Sequence, residues 1–322
     1  FNGNSASVHG GAIFNLHAEV DELPDKTLNI LDSTFANNTA QAGGAIYAIT
    51  GNVSGCSFKG NNELAIFARD DIYVSNSQFA DSLPYDIEGI IHDESGNDIQ
   101  SIKVSEGDWL VDKTMTVANL NIEGASVTLV EGAQILVEKK LTLEGTTMLG
   151  TYQQDDSSKR DDDALPSIVL TKNSTVAEIS LGTVLLTNIL LENRGTLSIT
   201  SHSNLVFEPK NTTIVNKGGS ILNVGKNIIL LGEHSTIRME PNSSFDALGS
   251  MVVSLSLEFE KESEFLFRIG ENIEFKKAPK LGGIFKLTTS TNLPTPKIND
   301  AFRVFTFSGN ESRPVTTFDA IE

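Results

Sequence analysis

The tetrapeptide Gly-Gly-Ala-Ile occurs twice early in the chain, at Gly10-Gly11-Ala12-Ile13 and Gly43-Gly44-Ala45-Ile46, each time shortly after a Phe-x-x-Asn. Phe1 with Asn4 leads into the first glycine pair, and Phe35 with Asn38 leads into the second. Phe58 and Asn61 open a third, degraded copy, and Phe79 alone marks a fourth. The last three phenylalanines stand 23 and 21 residues apart, whereas the first two are 34 apart with a polar stretch, residues 19–26, between them. A fixed period of just over ~20 residues interrupted by one insertion is the pattern of a solenoid.

The period selects the kind of solenoid. Three short strands and three turns fill ~20–25 residues, which is one coil of a parallel β-helix, whereas helical repeats need ~33 or more with apolar residues at helical spacing. The apolar runs are short and β-branched, as in Val127-Thr128-Leu129-Val130 and Ile228-Ile229-Leu230-Leu231. The same period returns in the second half: Asn204-Leu205-Val206-Phe207 and Thr213-Ile214 recur 23 residues later as Asn227-Ile228-Ile229-Leu230 and Thr236-Ile237. We therefore read an all-β chain, a right-handed parallel β-helix with at most ~14 coils at ~4.8 Å spacing.

Stacking explains the motif. Equivalent positions in successive coils lie above one another, so Phe1, Phe35, Phe58 and Phe79 are expected to form an aromatic column and Asn4, Asn38 and Asn61 an amide ladder. Gly10, Gly11, Gly43 and Gly44 would supply tight turns or close backbone approach. None of these groups is chemically reactive.

Phe-x-x-Asn with Gly-Gly-Ala-Ile resembles the paired repeat of the polymorphic outer membrane proteins of chlamydiae, over about residues 1–82. Later stretches, such as Gly195-Thr196-Leu197-Ser198-Ile199 and Asp300-Ala301-Phe302-Arg303-Val304-Phe305, are similar to passenger regions of autotransported adhesins. The resemblance implies a β-helix at a cell surface or outside the cell, and an adhesive role toward host cells. It implies no catalytic residue.

The organisation follows the period. Residues 1–83 carry the clear repeats, 84–108 read as a junction, 109–275 continue the solenoid, and 276–322, where the period fades and Pro279, Pro294 and Pro296 appear, read as a β-rich cap or end. The chain starts inside a repeat at Phe1, without an initiator methionine or an apolar run long enough to span a membrane, and reads as part of something longer. An open coil edge is a template for another chain, so self-association, end to end or lateral, is one expected partnership. A host receptor or surface glycan, held by inserted loops such as 19–26 or 151–166, is the other.

Charge narrows the partners further. A formal net charge of −18 argues against nucleic acid and anionic membranes, both polyanions. The run 151–166, with five aspartates around Lys159 and Arg160, reads as a solvated loop; cleavage at Lys159-Arg160 and Ca²⁺ binding are its alternatives. Asn-x-Ser/Thr sequons fall at Asn37, Asn52, Asn173, Asn211, Asn242 and Asn310 and make these possible glycosylation sites in a eukaryotic host. Cys56 stands alone, so no intrachain disulfide can form.

Polysaccharide-cleaving enzymes also use parallel β-helices, with carboxylates and a basic residue on adjacent coils of one face. Arg69-Asp70-Asp71 is the compact group that could serve, but no second motif surrounds it, and a turn is expected there; His9 lies two to three coils away and reads as a turn or edge residue. Without a phosphate-cradling loop, zinc spacing or nucleophile elbow, no cofactor is expected and a non-catalytic role is preferred.

Overall fold

The computed structural model describes residues 1–15, 28–81, 83–95, 99–105, 107–150, 165–172, 175–179, 183–200, 205–232, 234–268, 271–288, 305–308 and 320–321. Among them there is no helix; parallel strands stack as a β-solenoid of about 10 turns. The count falls below the ceiling set by length because some coils carry long insertions: Thr146 stands next to Thr183 in register, with residues 151–164 between them. The chain divides into two compact units, Phe1–Val111 with Val117–Ser126, and Asp112–Thr116 with Val127–Glu322.

In the first unit, strands Thr34–Ala36, Ser57–Lys59 and Gln78–Ala80 form one parallel ladder, with Phe35, Phe58 and Phe79 in direct register. A second ladder stacks Ile13–Asn15 on Ile46–Ala48 and then on the long strand Asn62–Ser75. Strand alternation sends Ile46, Ile66, Ile87 and Ile102 inward, and each is fully buried. Leu83–Ser95 and Ser101–Val104 continue this ladder, so the segment 84–108 itself contains coil strands. Trp109 is buried against the same interior, its indole N–H donating to the Ile91 carbonyl at 2.7 Å.

The second unit repeats the logic on three ladders. Thr213–Asn216 lies in register with Thr236–Met239, as the 23-residue spacing predicts, and Val206–Lys210 lies against Ile228–Leu230. The inward columns are Leu191-Ile214-Ile237-Leu257 and Leu197-Leu222-Phe245-Phe265. Toward its end the core becomes aromatic: Phe245, Phe259 and Phe265 meet at centroid distances of 5.0–5.9 Å, in stacked and edge-on pairs. Parallel registers continue past residue 276, where Phe305–Phe307 pairs with Ile273–Phe275 and Ala320–Ile321 with Ile284–Thr288. Here too an amide pair links coils, Asn193 Nδ2 donating to Asn216 Oδ1 at 2.8 Å. Met239 occupies the next position of that column, which leaves the buried Asn216 Nδ2 with no protein acceptor among the described residues.

Candidate functional site

The residues singled out by the repeat are consumed in holding one coil to the next. Phe1, Phe35, Phe58 and Phe79 stack with centroids 4.9, 5.0 and 4.8 Å apart and planes within 6°. Beside them, Asn4 Nδ2 donates to Asn38 Oδ1 at 2.9 Å and Asn38 Nδ2 donates to Asn61 Oδ1 at 3.0 Å. Each acceptor oxygen also receives a backbone N–H from the preceding coil, from Asn4 at 2.9 Å and from Asn38 at 3.1 Å. Asn61 Nδ2 returns to the Phe35 carbonyl at 3.1 Å. Buried amides satisfied this way carry little desolvation penalty and fix the coil register.

The glycine pairs work by close approach. A Cβ on Gly11 would sit 2.1 Å from the Gly44 carbonyl oxygen, and one on Gly44 would sit 2.1 Å from the Asn62 oxygen. Gly10 and Gly43 hold φ of 56° and 64°, the left-handed region that glycine enters without strain.

The outer surface of the first unit is where chemistry is exposed. Phe14, Tyr47, Phe67, Glu88 and Lys103 occupy successive positions of one outward column. Tyr47 and Phe67 stack at 5.0 Å and 7°, while His9 packs at 4.4 Å on Tyr47 and 5.5 Å on Phe14. Tyr47 and Phe67 lie face to face along the stacking direction, whereas Phe14 and His9 are tilted against Tyr47 by 41° and 57°. The column then turns charged, and continues to Asn121: Lys103 Nζ lies 3.1 Å from Glu88 and 3.6 Å from Glu123, and the Ser105 hydroxyl donates to Glu88. Burial lowers the Lys103 pKa, but the two glutamates outweigh it, so the ammonium is held above its ordinary value.

Asp71 and His92 make an acid–base contact that the sequence left unassembled. His92 Nε2 is 2.7 Å from Asp71 Oδ1, and its ring stacks on Tyr73 at 4.3 Å and 11°. A carboxylate only accepts, so Nε2 carries the proton and, in the neutral ring, Nδ1 is the basic end. The two residues are 21 apart, one coil, and that spacing is the signal that could have joined them. Local irregularity hides it. Instead of turning at Asp70 and Asp71, strand Asn62–Ser75 runs on with a register shift between Phe67 and Asp71. The shift is accommodated by Gly89, where an added Cβ would meet the Ala68 carbonyl oxygen at 2.5 Å. Arg69 and Asp70 are exposed within this shifted stretch of the strand, and His9 is placed with Tyr47 and Phe14 instead.

The remaining sequence candidates are scattered. Asn37 and Asn242 are exposed, and Asn211 half-buried, all at left-handed turn positions; Asn52 is exposed on Gly51–Ser54, its Nδ2 donating to Asn29 Oδ1 at 2.8 Å. Asn173, Asn310, Lys159, Arg160 and residues 19–26 lie outside the described residues. Cys56 is buried, and burial raises its thiol pKa against the opposing effect of the Ser33 and Ser54 backbone. Among the described residues no group of three or more His, Cys, Asp or Glu is placed to hold a metal ion. No family model, curated protein or solved structure matches the chain.

Proposed function

We propose that this chain is a structural and adhesive β-helical protein of the cell exterior, a non-catalytic stalk that binds a surface partner or its own copies. One observation carries the reading. The residues that define the repeat are committed to stacking: the phenylalanine column, the asparagine ladder and the glycine contacts all join one coil to the next. Continuous backbone pairing of this kind makes a stiff support, and variable outer positions and loops are then available for recognition. The resemblance of the repeat to that of chlamydial polymorphic outer membrane proteins points to the same setting. The test is direct binding of labelled, purified protein to host cells and immobilised glycans. Saturable binding, competed by unlabelled protein, is expected; no binding to any cell or glycan would remove the adhesive half of the reading.

A second reading, polysaccharide cleavage, is favoured by one specific observation. Asp71 and His92 pair on adjacent coils of an outer face, with exposed Arg69 and Asp70 on the same strand as Asp71. A carboxylate that orients a histidine is a common half of an acid–base device. Its signature would be new chain ends released from a polysaccharide, lost on Asp71→Asn.

A further inference from the structure

Two fully buried polar groups at one turn of the second unit have no protein partner among the described residues: Asn216 Nδ2 and the hydroxyl of Ser220. The neighbouring coil fixes which way the amide points. Asn193 Oδ1 accepts the Gly195 backbone N–H at 2.9 Å, so its Nδ2 is the group that reaches on, donating to Asn216 Oδ1 at 2.8 Å and to the Ile221 carbonyl at 3.0 Å. Flipping Asn216 would set two N–H groups against each other, so its Nδ2 is the atom left over. Because one Asn193 nitrogen reaches both Asn216 and Ile221, the Asn216 amide lies at the start of strand Ile221–Val224, which Ser220 immediately precedes.

Ser220 departs from its equivalents at the same place. Register aligns Ile221 with Ser244 and Glu264, so Ser220, Ser243 and Ser263 hold one position in three successive coils. Each gives its backbone N–H to the carbonyl three residues back, that of Lys217, Glu240 or Glu260. Ser243 and Ser263 send their hydroxyls to that carbonyl as well, at 2.7 and 2.6 Å, and Ser220 does not. Before the turn, register places Met239 and Phe259 in those two coils and Asn216 in this one. Among the three coils, the hydroxyl leaves its usual acceptor where an amide stands across the turn.

We propose that Asn216 and Ser220 together hold one water molecule inside the solenoid, which accepts from Asn216 Nδ2 and donates to Ser220 Oγ. Chemistry selects the occupant. The site offers a neutral N–H donor and a hydroxyl, and Lys217, the charged residue of the turn, pairs with Glu240 at 2.8 Å, so an ion finds no counter-charge there. Asn216 and Ser220 are 0% and 1% exposed, which excludes a ligand that must extend to solvent. Two hydrogen bonds are within the range that a buried water makes, and either group left bare would be costly. The inference is independent of the adhesive reading.

A crystal structure of the purified full chain, at a resolution that shows ordered solvent, tests this. The expected map has one water within ~3.2 Å of both Asn216 Nδ2 and Ser220 Oγ. In solution, the Asn216 side-chain amide protons should show magnetisation transfer from a long-lived water by nuclear magnetic resonance. Asn216→Met extends the apolar column of Met239 by one coil and removes the amide; its crystal structure should lose the water and show the Ser220 hydroxyl turned onto the Lys217 carbonyl, as Ser243 is onto that of Glu240. Circular dichroism establishes whether this variant folds, and if it does not, the native map and the solution signal decide. A map without ordered water between the two groups, a direct bond from Asn216 Nδ2 to Ser220 Oγ, absence of the solution signal, or a folded Asn216→Met that keeps the water would overturn the inference.

Discussion

Asn38 donates its side-chain N–H to Asn61 Oδ1 at 3.0 Å across one coil, and the same oxygen accepts the Asn38 backbone N–H at 3.1 Å. Asn38 is fully buried; removing its amide takes the acceptor from the Asn4 backbone N–H and one of two donors from Asn61 Oδ1, which keeps the backbone N–H of residue 38. Asn38→Leu is predicted to lower stability by ~1–3 kcal/mol, the cost of leaving one partly buried donor without its acceptor and of losing the cross-coil amide bond. Urea unfolding checks it; an unchanged midpoint would contradict the ladder.

Gly44 and Gly132 separate contact from conformation. Gly44→Ala would drive a Cβ to 2.1 Å from the Asn62 oxygen, whereas a methyl group on Gly132, where φ is 78°, would have nothing within 4 Å. Gly44→Ala is predicted to destabilise by at least ~3 kcal/mol, since rigid backbone must shift, and Gly132→Ala by only ~1 kcal/mol of left-handed strain. Thermal unfolding of the two variants in parallel gives the comparison.

Two carboxyls should give opposite pH signatures. Hydrogen bonds from Ser250 and the neighbouring Lys226 hold Glu271 below its ordinary pKa. Its stabilisation is therefore full above the ordinary glutamate value and is lost as pH falls through the lower folded value. Burial, partly offset by Arg268, raises Asp246. Its ionisation therefore opposes folding at neutral pH, and that penalty disappears below the ordinary aspartate value. Glu271→Gln should destabilise at pH 7 with the difference closing in acid, and Asp246→Asn should stabilise at pH 7 with its advantage closing in acid. Stability measured against pH for both variants checks the signs.

Cys56 is 2% exposed, its Sγ lies 3.3 Å from the Ser54 carbonyl oxygen, and burial raises its pKa. Inaccessibility and the raised pKa both suppress reaction through the thiolate, so a thiol-reactive dye should label the native protein far more slowly than the unfolded one, by at least ~100-fold. Labelling at equal rates in buffer and in denaturant would contradict the packing around it.

The solenoid was legible because stacking makes sequence spacing and spatial neighbourhood the same thing. Phe35, Phe58 and Phe79, or Thr213 and Thr236, can be aligned on paper and are aligned in register. Legibility failed where that equivalence breaks. The register shift between Phe67 and Asp71 hides the one-coil relation of Asp71 to His92, and a run of acids suggested a turn where the strand continues. Met148 and Leu185 sit side by side but belong to a coil lengthened by an insertion, so no constant period joins them. Outward leucines and isoleucines look like core in a sequence, since alternation fixes which residues share a face but not which face is inside.

The measurement that tests the central claim most directly is a search for polysaccharide cleavage by the purified protein, run beside its cell-binding assay and repeated with Asp71→Asn and His92→Ala. The account predicts no new chain ends at any pH, with binding retained by both variants if they remain folded. Cleavage by the native chain that disappears in both variants would contradict it and make the Asp71–His92 pair an active site.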